Sequence, residues 1–329
     1  MSIRRGIVAG LAAGALLFAA ACSTSDDSGG GDGDGDGSAP AKTSDIRIDV
    51  ITHGAPGDSF WDVVKAGAEK AGDDLAVDLH YQSDPDPGAQ STLIDGAVAD
   101  GTDGLVISMA NPDGLEASIK AAVSAGVPVI TINSGIDDWQ AFGAITHVGQ
   151  SETVAGEAAG QQMNDAGVTE AICVIQEAGN VALEERCRAA ASTFDGNMKN
   201  LQTDNADLQG SQSTIEAQLQ ANDKIDGILT LGGDMAGAAV GAVEASGRDI
   251  PIGTFDLNAE VAQNVLDGKL LFAIDQQPYV QGYLGVTGIY LKAINGNDIG
   301  GGQPINSGPA IITADNAEAV LGFAKGGTR

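Results

Sequence analysis

The feature that most constrains the fold is an alternation of short β-branched runs with longer amphipathic stretches, which begins at Asp45. This alternation is typical of βαβ units, which build a mostly parallel sheet covered by helices. In the first half the pattern predicts strands over residues 46–52, 77–81, 104–108, 127–132 and 145–148. It predicts helices over 60–72, 89–100 and 115–125, each with a glycine near its end. These elements make one doubly wound α/β lobe.

The same pattern then starts again. Strands are predicted over 172–176, 198–203, 227–231, 250–254 and 271–275, and helices over 154–165, 183–194, 211–221, 236–246 and 259–266. A helix over 279–295 and an extended segment over 305–312 remain to be shared between the two lobes. The predicted fold class is therefore α/β, with two doubly wound parallel-sheet lobes joined by a multi-strand hinge. We expect residues 45–148 with 278–305 in the N-terminal lobe, and 149–277 with 306–329 in the C-terminal lobe.

The first forty-four residues differ sharply from the rest. Arg4 and Arg5 precede an uncharged apolar run over residues 6–21, and Cys22 follows it directly. This layout predicts a signal peptide over residues 1–21. Small residues before Cys22 resemble a bacterial lipobox, although Ala19 stands where that pattern prefers leucine. We expect lipidation of Cys22, anchorage to the outer face of the cell membrane through the lipid alone, and a flexible linker over 22–44 rich in Gly, Asp and Ser. A plain exported protein with an incidental cysteine is the alternative.

Cys173 and Cys187 form an even pair in a chain predicted to be exported, where thiols are normally oxidised. We therefore expect a disulfide between them, closing a short loop. Two buried free thiols are the alternative. The three histidines have no ligand spacing with the cysteines, so no metal site is predicted.

Charge and motifs exclude several function classes. The 16 Lys and Arg face 45 Asp and Glu, and the net charge is −29, which argues against nucleic acid as a partner. The sequence has no dinucleotide-binding glycine motif after the first strand, no phosphate-binding loop and no nucleophile elbow. We therefore expect neither catalysis nor a cofactor.

Candidate binding residues follow the predicted strands, because ligands of open parallel sheets bind beyond the carboxyl ends of the strands. After the first strand come Asp58, Ser59, Phe60 and Trp61. The aromatic rings suit the apolar faces of a sugar, and Asp58 or Ser59 would bond its hydroxyls or cap the following helix. Trp61 would alternatively pack between helix and sheet.

Three more polar side chains stand at other strand ends. Asn133 follows the fourth strand of the first half, while Asp256 and Gln276 follow two strands of the second half. A carboxylate accepts bonds from adjacent hydroxyls, and an amide both donates and accepts. Helix capping is the competing role for Asn133.

Taken together, these strand-end segments resemble the ribose-type, or type 1, periplasmic binding proteins of sugar importers. The resemblance is carried by Phe60-Trp61, by residues 104–107 and 126–133, by 253–256 and by Asp275-Gln276-Gln277-Pro278, and it covers nearly all of residues 45–312. It implies a monomeric, extracytoplasmic protein that closes on a sugar and serves the permease and ATPase of an ABC importer. It also implies a pocket lined by Asp58, Phe60, Trp61, Asn133, Glu184, Asp256 and Gln276.

The chain departs from the ribose binders where they carry cations. Asn133-Ser134 stands in place of their aspartate and arginine, and Glu184 in place of another arginine. Asp234 stands in a loop where they place an asparagine. These changes predict a neutral, hydroxyl-rich ligand, either a sugar or a sugar alcohol.

The spacing of Cys173 and Cys187 is similar to that of a subgroup of these binders. The alternative function is the sensing of a furanosyl signal, similar to autoinducer-2, or of a chemoreceptor ligand.

Overall fold

The computed structural model describes residues 45–329, so the predicted signal peptide, the linker and Cys22 lie outside the described residues. The strands are β1 Arg47–Thr52, β2 Asp78–Ser83, β3 Gly104–Ser108, β4 Val129–Asn133, β5 His147–Gly149, β6 Glu170–Ile175, β7 Asn197–Gln202, β8 Gly227–Thr230, β9 Ile252–Phe255, β10 Phe272–Asp275, β11 Ile305–Asn306 and β12 Ala310–Ile312.

The helices cover most of the remaining chain. They are α1 Ser59–Leu75, α2 Pro87–Ala99, α3 Pro112–Ser124, α4 Trp139–Phe142, α5 Glu152–Asp165, α6 Val181–Thr193, α7 Leu208–Ala221, α8 Gly233–Ser246, α9 Ala259–Leu266, α10 Pro278–Asn295 and α11 Ala317–Lys325, with a 3₁₀ turn at Gly300–Gly302. None of the helices within 45–329 has the length and apolar character that a bilayer span requires.

The strands form two sheets of the same topology. The first sheet has the order β11-β5-β4-β3-β1-β2, and the second has the order β12-β10-β9-β8-β6-β7. All neighbours pair in parallel except β12, which runs antiparallel to β10. We call each sheet with its covering helices a lobe. The predicted fold class, two doubly wound lobes joined by a hinge of several crossings, is confirmed.

Each sheet is apolar on both faces because helices cover both. In the first sheet Val106 packs with α1 and α10, whereas its neighbours Leu105 and Ile107 pack with α2 and α3. The second sheet divides in the same way, with Ile172 on one face and Cys173 on the other. Successive residues of a strand point to opposite faces, so near-continuous apolar runs are what a doubly covered sheet requires.

Helix α10 lies unusually close to α1. A Cβ on Gly67 would stand 2.1 Å from the Tyr279 carbonyl oxygen, and a Cβ on Gly282 would stand 2.1 Å from the Val64 carbonyl oxygen. Glycine at these two places permits the backbones to touch. The sequence pattern predicted α10 but did not place it against α1.

The chain crosses between the lobes three times, after β5, after β10 and after β11. The crossings are bonded to one another through Ser307. Its backbone N–H donates to the Gly149 carbonyl at 2.6 Å and its hydroxyl to the Gln276 carbonyl at 2.7 Å. Gln281 Nε2 lies 3.2 Å from the Ser307 hydroxyl. Three linked crossings make a hinge rather than a loose tether.

Candidate ligand site

The carboxyl ends of the two sheets face each other across a cavity in which about 540 Å³, counted together with the solvent-open space at its mouth, is not occupied by atoms. We call it the inner cavity. Its walls come from both lobes and are mainly polar, and they are formed by His53, Asp58, Ser59, Phe60, Trp61, Asn133, Ser134, Gln176, Glu177, Asn180, Leu183, Arg186, Asn205, Leu231, Gly232, Gly233, Asp234, Asp256, Leu257, Asn258 and Gln276. All the candidate binding residues named from the sequence line it, except Glu184.

Glu184 is the residue that sequence reasoning placed wrongly. Its side chain is exposed and is absent from the cavity wall, which α6 supplies through Leu183 and Arg186 instead. Residues three apart share a helix face, and the intervening residue is turned about 100° away. A position after a strand does not fix which residues of the following helix face the cavity, so the sequence could not distinguish Glu184 from Leu183 and Arg186.

Gln276 joins the two lobes at the floor of the inner cavity. Its Oε1 accepts from Asn133 Nδ2 of the first lobe at 3.0 Å and from Gln281 Nε2 at 3.0 Å. Its Nε2 donates to Asp256 Oδ1 of the second lobe at 2.6 Å. Neither Asn133 nor Asp256 caps a helix, because α4 begins after Asp138 and Asn258 caps α9. Both therefore remain available to a ligand.

A second group of contacts joins the lobes at the start of α1. Asp58 caps that helix by accepting from the Phe60 N–H at 3.0 Å, and its other oxygen accepts from Asn205 Nδ2 at 2.9 Å. The Ser59 hydroxyl donates to Asp234 Oδ1 at 2.8 Å. The two roles weighed for Asp58, a cap and a cavity residue, are thus combined in one carboxylate.

The aromatic residues form a fixed wall. Trp61 is 6% exposed and meets His53 edge-on at 4.6 Å and Phe60 edge-on at 5.1 Å between ring centroids. Gly54 permits this arrangement, because a Cβ there would stand 2.5 Å from the indole. Trp61 packs in the core of the first lobe and also lines the inner cavity.

Arg186 is the cation of the inner cavity. Its Nε and Nη2 donate to the two oxygens of Glu152 at 2.6 and 3.0 Å, and the guanidinium lies 4.9 Å from the centroid of the Phe255 ring. Both members of the ion pair are 3% exposed. Arg186 therefore has an acid as its partner and also borders the ligand space.

Burial controls the charges in the cavity. It raises the pKa of Asp256 to about 7 against the opposing charge of Arg186, and it raises the pKa of Asp58 to about 6. Burial also raises the pKa of Glu177. Burial and the nearby Arg186 charge lower the pKa of His53 to about 3, so this ring is neutral. The wall thus offers hydrogen-bond acceptors whose charge changes near neutral pH.

Several wall residues were missed by sequence reasoning although the same signal could have found them. His53 and Gln176 directly follow β1 and β6, and Asn205 and Asn258 lie in the loops after β7 and β9. Asp234, which stands where the ribose binders place an asparagine, also lines the inner cavity. Because the carboxyl ends of all the parallel strands lie at the site, the residues after each of these strands are predicted in the same way.

The predicted disulfide is confirmed. Cys173 on β6 and Cys187 on α6 are bonded, with a separation of 14 residues. The bond ties the helix that presents Leu183 and Arg186 to strand β6, beside the edge strand β7 of the second sheet. Within residues 45–329, no group of His, Cys, Asp and Glu side chains has the arrangement of a metal site.

Two α/β lobes, a three-crossing hinge and a polar cavity between facing strand ends define a two-lobed solute-binding protein. The chain belongs to the family described as the periplasmic binding protein domain, whose model matches residues 48–298. This family consists of binding proteins.

Solved and curated relatives agree with this assignment. A carbohydrate transporter from Acidothermus cellulolyticus 11B, in complex with myo-inositol, has a TM-score of 0.85 and 42% identity, covering 86% of this chain and 99% of its own. The xylose/arabinose-binding protein XylF of Sulfolobus acidocaldarius is 26% identical over 75% of this chain and 66% of its own length. The ribose import binding protein RbsB of Bacillus subtilis is 25% identical, over 68% of this chain and 74% of its own length.

Proposed function

We propose that this protein captures a small neutral sugar or sugar alcohol between its lobes and delivers it to the permease of an ABC importer. One observation carries the proposal: a buried polar cavity receives side chains from both lobes, and Gln276 bonds to Asn133 on one side and Asp256 on the other. A ligand that bonds to the same groups holds the lobes together. The names of the relatives, which bind or transport sugars and an inositol, support this class of cargo.

The wall chemistry favours a neutral ligand rich in hydroxyl donors. Four carboxyl groups and several amides line the inner cavity, while Arg186 is already paired with Glu152. Anionic sugars would meet an excess of negative charge. Phe60 and Trp61 offer apolar rings for the faces of a cyclic polyol. Because the 42% identical transporter was solved with myo-inositol, that cyclic polyol is the first candidate, and pentoses follow.

Binding selects the closed arrangement of the two lobes. Each hydroxyl bond contributes about 1 kcal/mol net, and a buried partner left unpaired costs about 1–3 kcal/mol. An epimer that misplaces one hydroxyl therefore binds about tenfold or more weakly. Ligand contacts shared between lobes shift the population toward closure without any covalent chemistry.

We infer that the cargo is bound unchanged. One buried hydroxyl, that of Ser108, lies 2.7 Å from His53 Nδ1, an arrangement that elsewhere activates a nucleophile. Ser108 is fully buried and is not part of the inner cavity wall, so it does not reach the ligand. This pair instead fixes the His53 ring beside Trp61.

We also propose that Cys22 carries the lipid anchor and that residues 22–44 tether the two lobes to the outer face of the membrane. Cys22→Ser should release the exported protein from the membrane fraction into the soluble fraction and abolish labelling with a radioactive fatty acid. Membrane retention of the Cys22→Ser protein would contradict the anchor.

The proposed function is tested by a thermal-shift screen of residues 43–329 against cyclic polyols, pentoses, hexoses and amino acids, followed by calorimetry on the hits. A ligand at 100 times its Kd adds about 2.7 kcal/mol, which raises the Tm by about 4–5 °C for a chain of this size. A hit on one sugar or polyol supports the proposal. Hits confined to amino acids, or to anions, would overturn it.

A further inference from the structure

A second and larger cavity lies beside the inner cavity, between loops of the two lobes. We call it the outer cavity, and about 1190 Å³ of it, counted together with the solvent-open space at its mouth, is not occupied by atoms. Its wall is formed by His53, Ala55, Pro85, Pro87, Gln90, Ala110, Asn111, Gln176, Glu177, Ala178, Gly179, Asn180, Gln202, Thr203, Asp204 and Ala206. The function proposed above assigns no role to this space.

The two cavities share part of their walls. His53, Gln176, Glu177 and Asn180 line both of them. Asn180 Nδ2 donates to Glu177 Oε2 at 2.7 Å, and the same oxygen lies 3.9 Å from His53 Nε2. What separates the cavities is therefore this small group of polar residues. A ligand in one cavity lies next to the residues that border the other.

One atom in the shared wall lacks a hydrogen-bond partner. Gln176 is 7% exposed, and its Oε1 accepts no hydrogen bond from the residues that the structure describes. A buried carbonyl oxygen without a donor is unusual in a folded protein. A hydroxyl of a ligand that spans the two cavities would supply the missing donor.

The outer wall suits a neutral ring. It combines small apolar side chains, among them Pro85, Pro87 and Ala110, with the amides of Asn111 and Gln202. It contains no lysine or arginine, and Asp204 is the one carboxyl that it does not share with the inner cavity. Ligand sites for neutral molecules have this composition, in which apolar contacts surround a few polar groups.

The outer cavity exists while the lobes are in direct contact. At its rim the Val181 N–H, from α6 of the second lobe, donates to the Ala110 carbonyl of the first lobe at 3.0 Å. Ser59 and Asp234 are bonded across the inner cavity in the same structure. A second ring in the outer cavity therefore does not require the lobes to separate.

Resting on the proposed function, we propose that the outer cavity is a second ring subsite and that the cargo class includes neutral two-ring compounds. One ring lies in the inner cavity, the second lies between Pro85 and Ala178, and the glycosidic link passes Gln176. The ligand class is thus a neutral glycoside or disaccharide whose inner ring is the sugar or polyol recognised by Asn133, Asp256 and Gln276.

The test uses two matched pairs of probes, myo-inositol with its galactoside galactinol, and D-xylose with xylobiose. Calorimetry measures each Kd for residues 43–329 and for Ala178→Trp, in which an indole fills the outer cavity from an exposed loop position. Ala245→Trp, at an exposed position of α8 outside both cavities, is the matched control. For the pair that binds, Ala178→Trp should weaken the two-ring probe about tenfold or more and leave the one-ring probe unchanged.

The outcomes separate this inference from the function on which it rests. Binding of a one-ring probe without its two-ring partner would overturn the second subsite and leave the proposed function standing. Equal weakening of both probes by Ala178→Trp would also overturn the subsite, because the outer cavity would then not be a separate region of binding. Failure of every neutral sugar and polyol in the thermal-shift panel would overturn the proposed function itself.

Discussion

Asn133 and Asp256 occupy equivalent positions at the ends of the corresponding strands β4 and β9, and both have a left-handed backbone, with φ of 63° and 65°. Outside glycine, Asn and Asp adopt this conformation most readily. Gln276 bonds to both side chains and so joins the two equivalent points of the lobes. The site is therefore built around a near-symmetric pair bridged by one amide.

Replacing the bridge should abolish tight binding while sparing the fold. Gln276→Ala removes bonds to Asn133 and to the carboxylate of Asp256, and a hydrogen bond to a charged group is worth about 1.5–3 kcal/mol. Calorimetry with the best ligand of the screen should show Kd raised by one to two orders of magnitude, on the order of 10–100-fold. Gln209→Ala, at an exposed position of α7, should bind normally. Normal binding by Gln276→Ala would refute the assignment of the inner cavity.

Asp256 should contribute a loss of stability to the ligand-free protein as the pH rises from about 4 toward about 7, whereas the buried His53, with its lowered pKa of about 3, contributes in the opposite direction. Burial raises the pKa of Asp256 to about 7 from an unfolded value of 3.8, so the folded state holds a proton that the unfolded state has released. The Asp256 contribution to the free energy of unfolding then falls with pH over that window, by about 1.4 kcal/mol per unit of pKa difference. Asp58, with a pKa of about 6, acts in the same direction.

Urea unfolding at several pH values, without ligand, checks this sign. Asp256→Asn should remove this contribution, because the amide does not titrate, so the free energy of unfolding of the unchanged protein should fall relative to that of the variant as the pH rises. Ligand affinity should change in the opposite sense, weakening as the pH falls below about 7, since an ionised carboxylate is the better acceptor of hydroxyl bonds. An identical pH dependence in Asp256→Asn would contradict the prediction.

The buried Glu152–Arg186 ion pair should contribute far more to the free energy of unfolding than the exposed Glu185–Arg188 pair of α6. Glu152→Gln leaves Arg186 buried without its carboxylate, which should destabilise the fold by about 3–5 kcal/mol in urea unfolding. Arg188→Gln breaks the exposed pair with Glu185, where the arginine side chain is 66% exposed, and should cost at most about 1 kcal/mol. Equal losses in the two variants would show that the burial of the Arg186 pair has no energetic consequence.

Removing the disulfide should lower stability without unfolding the protein. Cys173→Ala with Cys187→Ala opens a loop of 14 residues, for which the loss of chain constraint is about 3 kcal/mol. Thermal unfolding of the original protein in reductant should approach that of the double variant. A reductant that still lowers the Tm of the double variant would point to a cause other than this bond.

An added Cβ at the contact between α1 and α10 should lower the stability of the fold. Gly67→Ala places a Cβ against the Tyr279 carbonyl and should destabilise the fold by about 1–3 kcal/mol. Gly96→Ala, in the interior of α2 with nothing within 4 Å of the new Cβ, should instead stabilise it by about 0.5–1 kcal/mol. Opposite shifts in Tm are the expected result, and a destabilised Gly96→Ala would contradict the argument from packing.

Most strands and helices could be predicted from the sequence because hydrophobic periodicity and turn-forming residues determine secondary structure within a short segment. The segment 305–312 shows where this fails. It was predicted as one extended piece, yet it forms β11 in the first sheet and β12 in the second, separated by Ser307, Gly308 and Pro309. The sheet that a short strand joins depends on strands far away in the sequence, which a local pattern does not describe. Helix α4 has four residues, too few to show a period, whereas α11 was missed although its buried residues Ala317, Val320 and Ala324 have helical spacing.

The candidate site shows the same division. Residues directly after strands, such as Asn133 and Gln276, could be found because parallel strands bring their ends together. Glu184 does not line the inner cavity and Arg186 does, because their side chains leave α6 in different directions, and the sequence pattern did not fix those directions. The pKa of Asp256 and the unpartnered oxygen of Gln176 depend on burial created by both lobes, which no single segment of the sequence contains.

Helix α10 and strand β11 complete the first lobe, yet they follow most of the second lobe in the chain. A polypeptide that ends before Pro278 would leave the apolar face of α1 and the middle of the first sheet uncovered. The first lobe consequently cannot finish folding while the chain is still being made up to that point, although its strands are synthesised first. Contacts between segments so far apart in sequence form slowly. Both lobes are thus completed only by the C-terminal segment of the chain, the first by α10 and β11 and the second by β12 and α11.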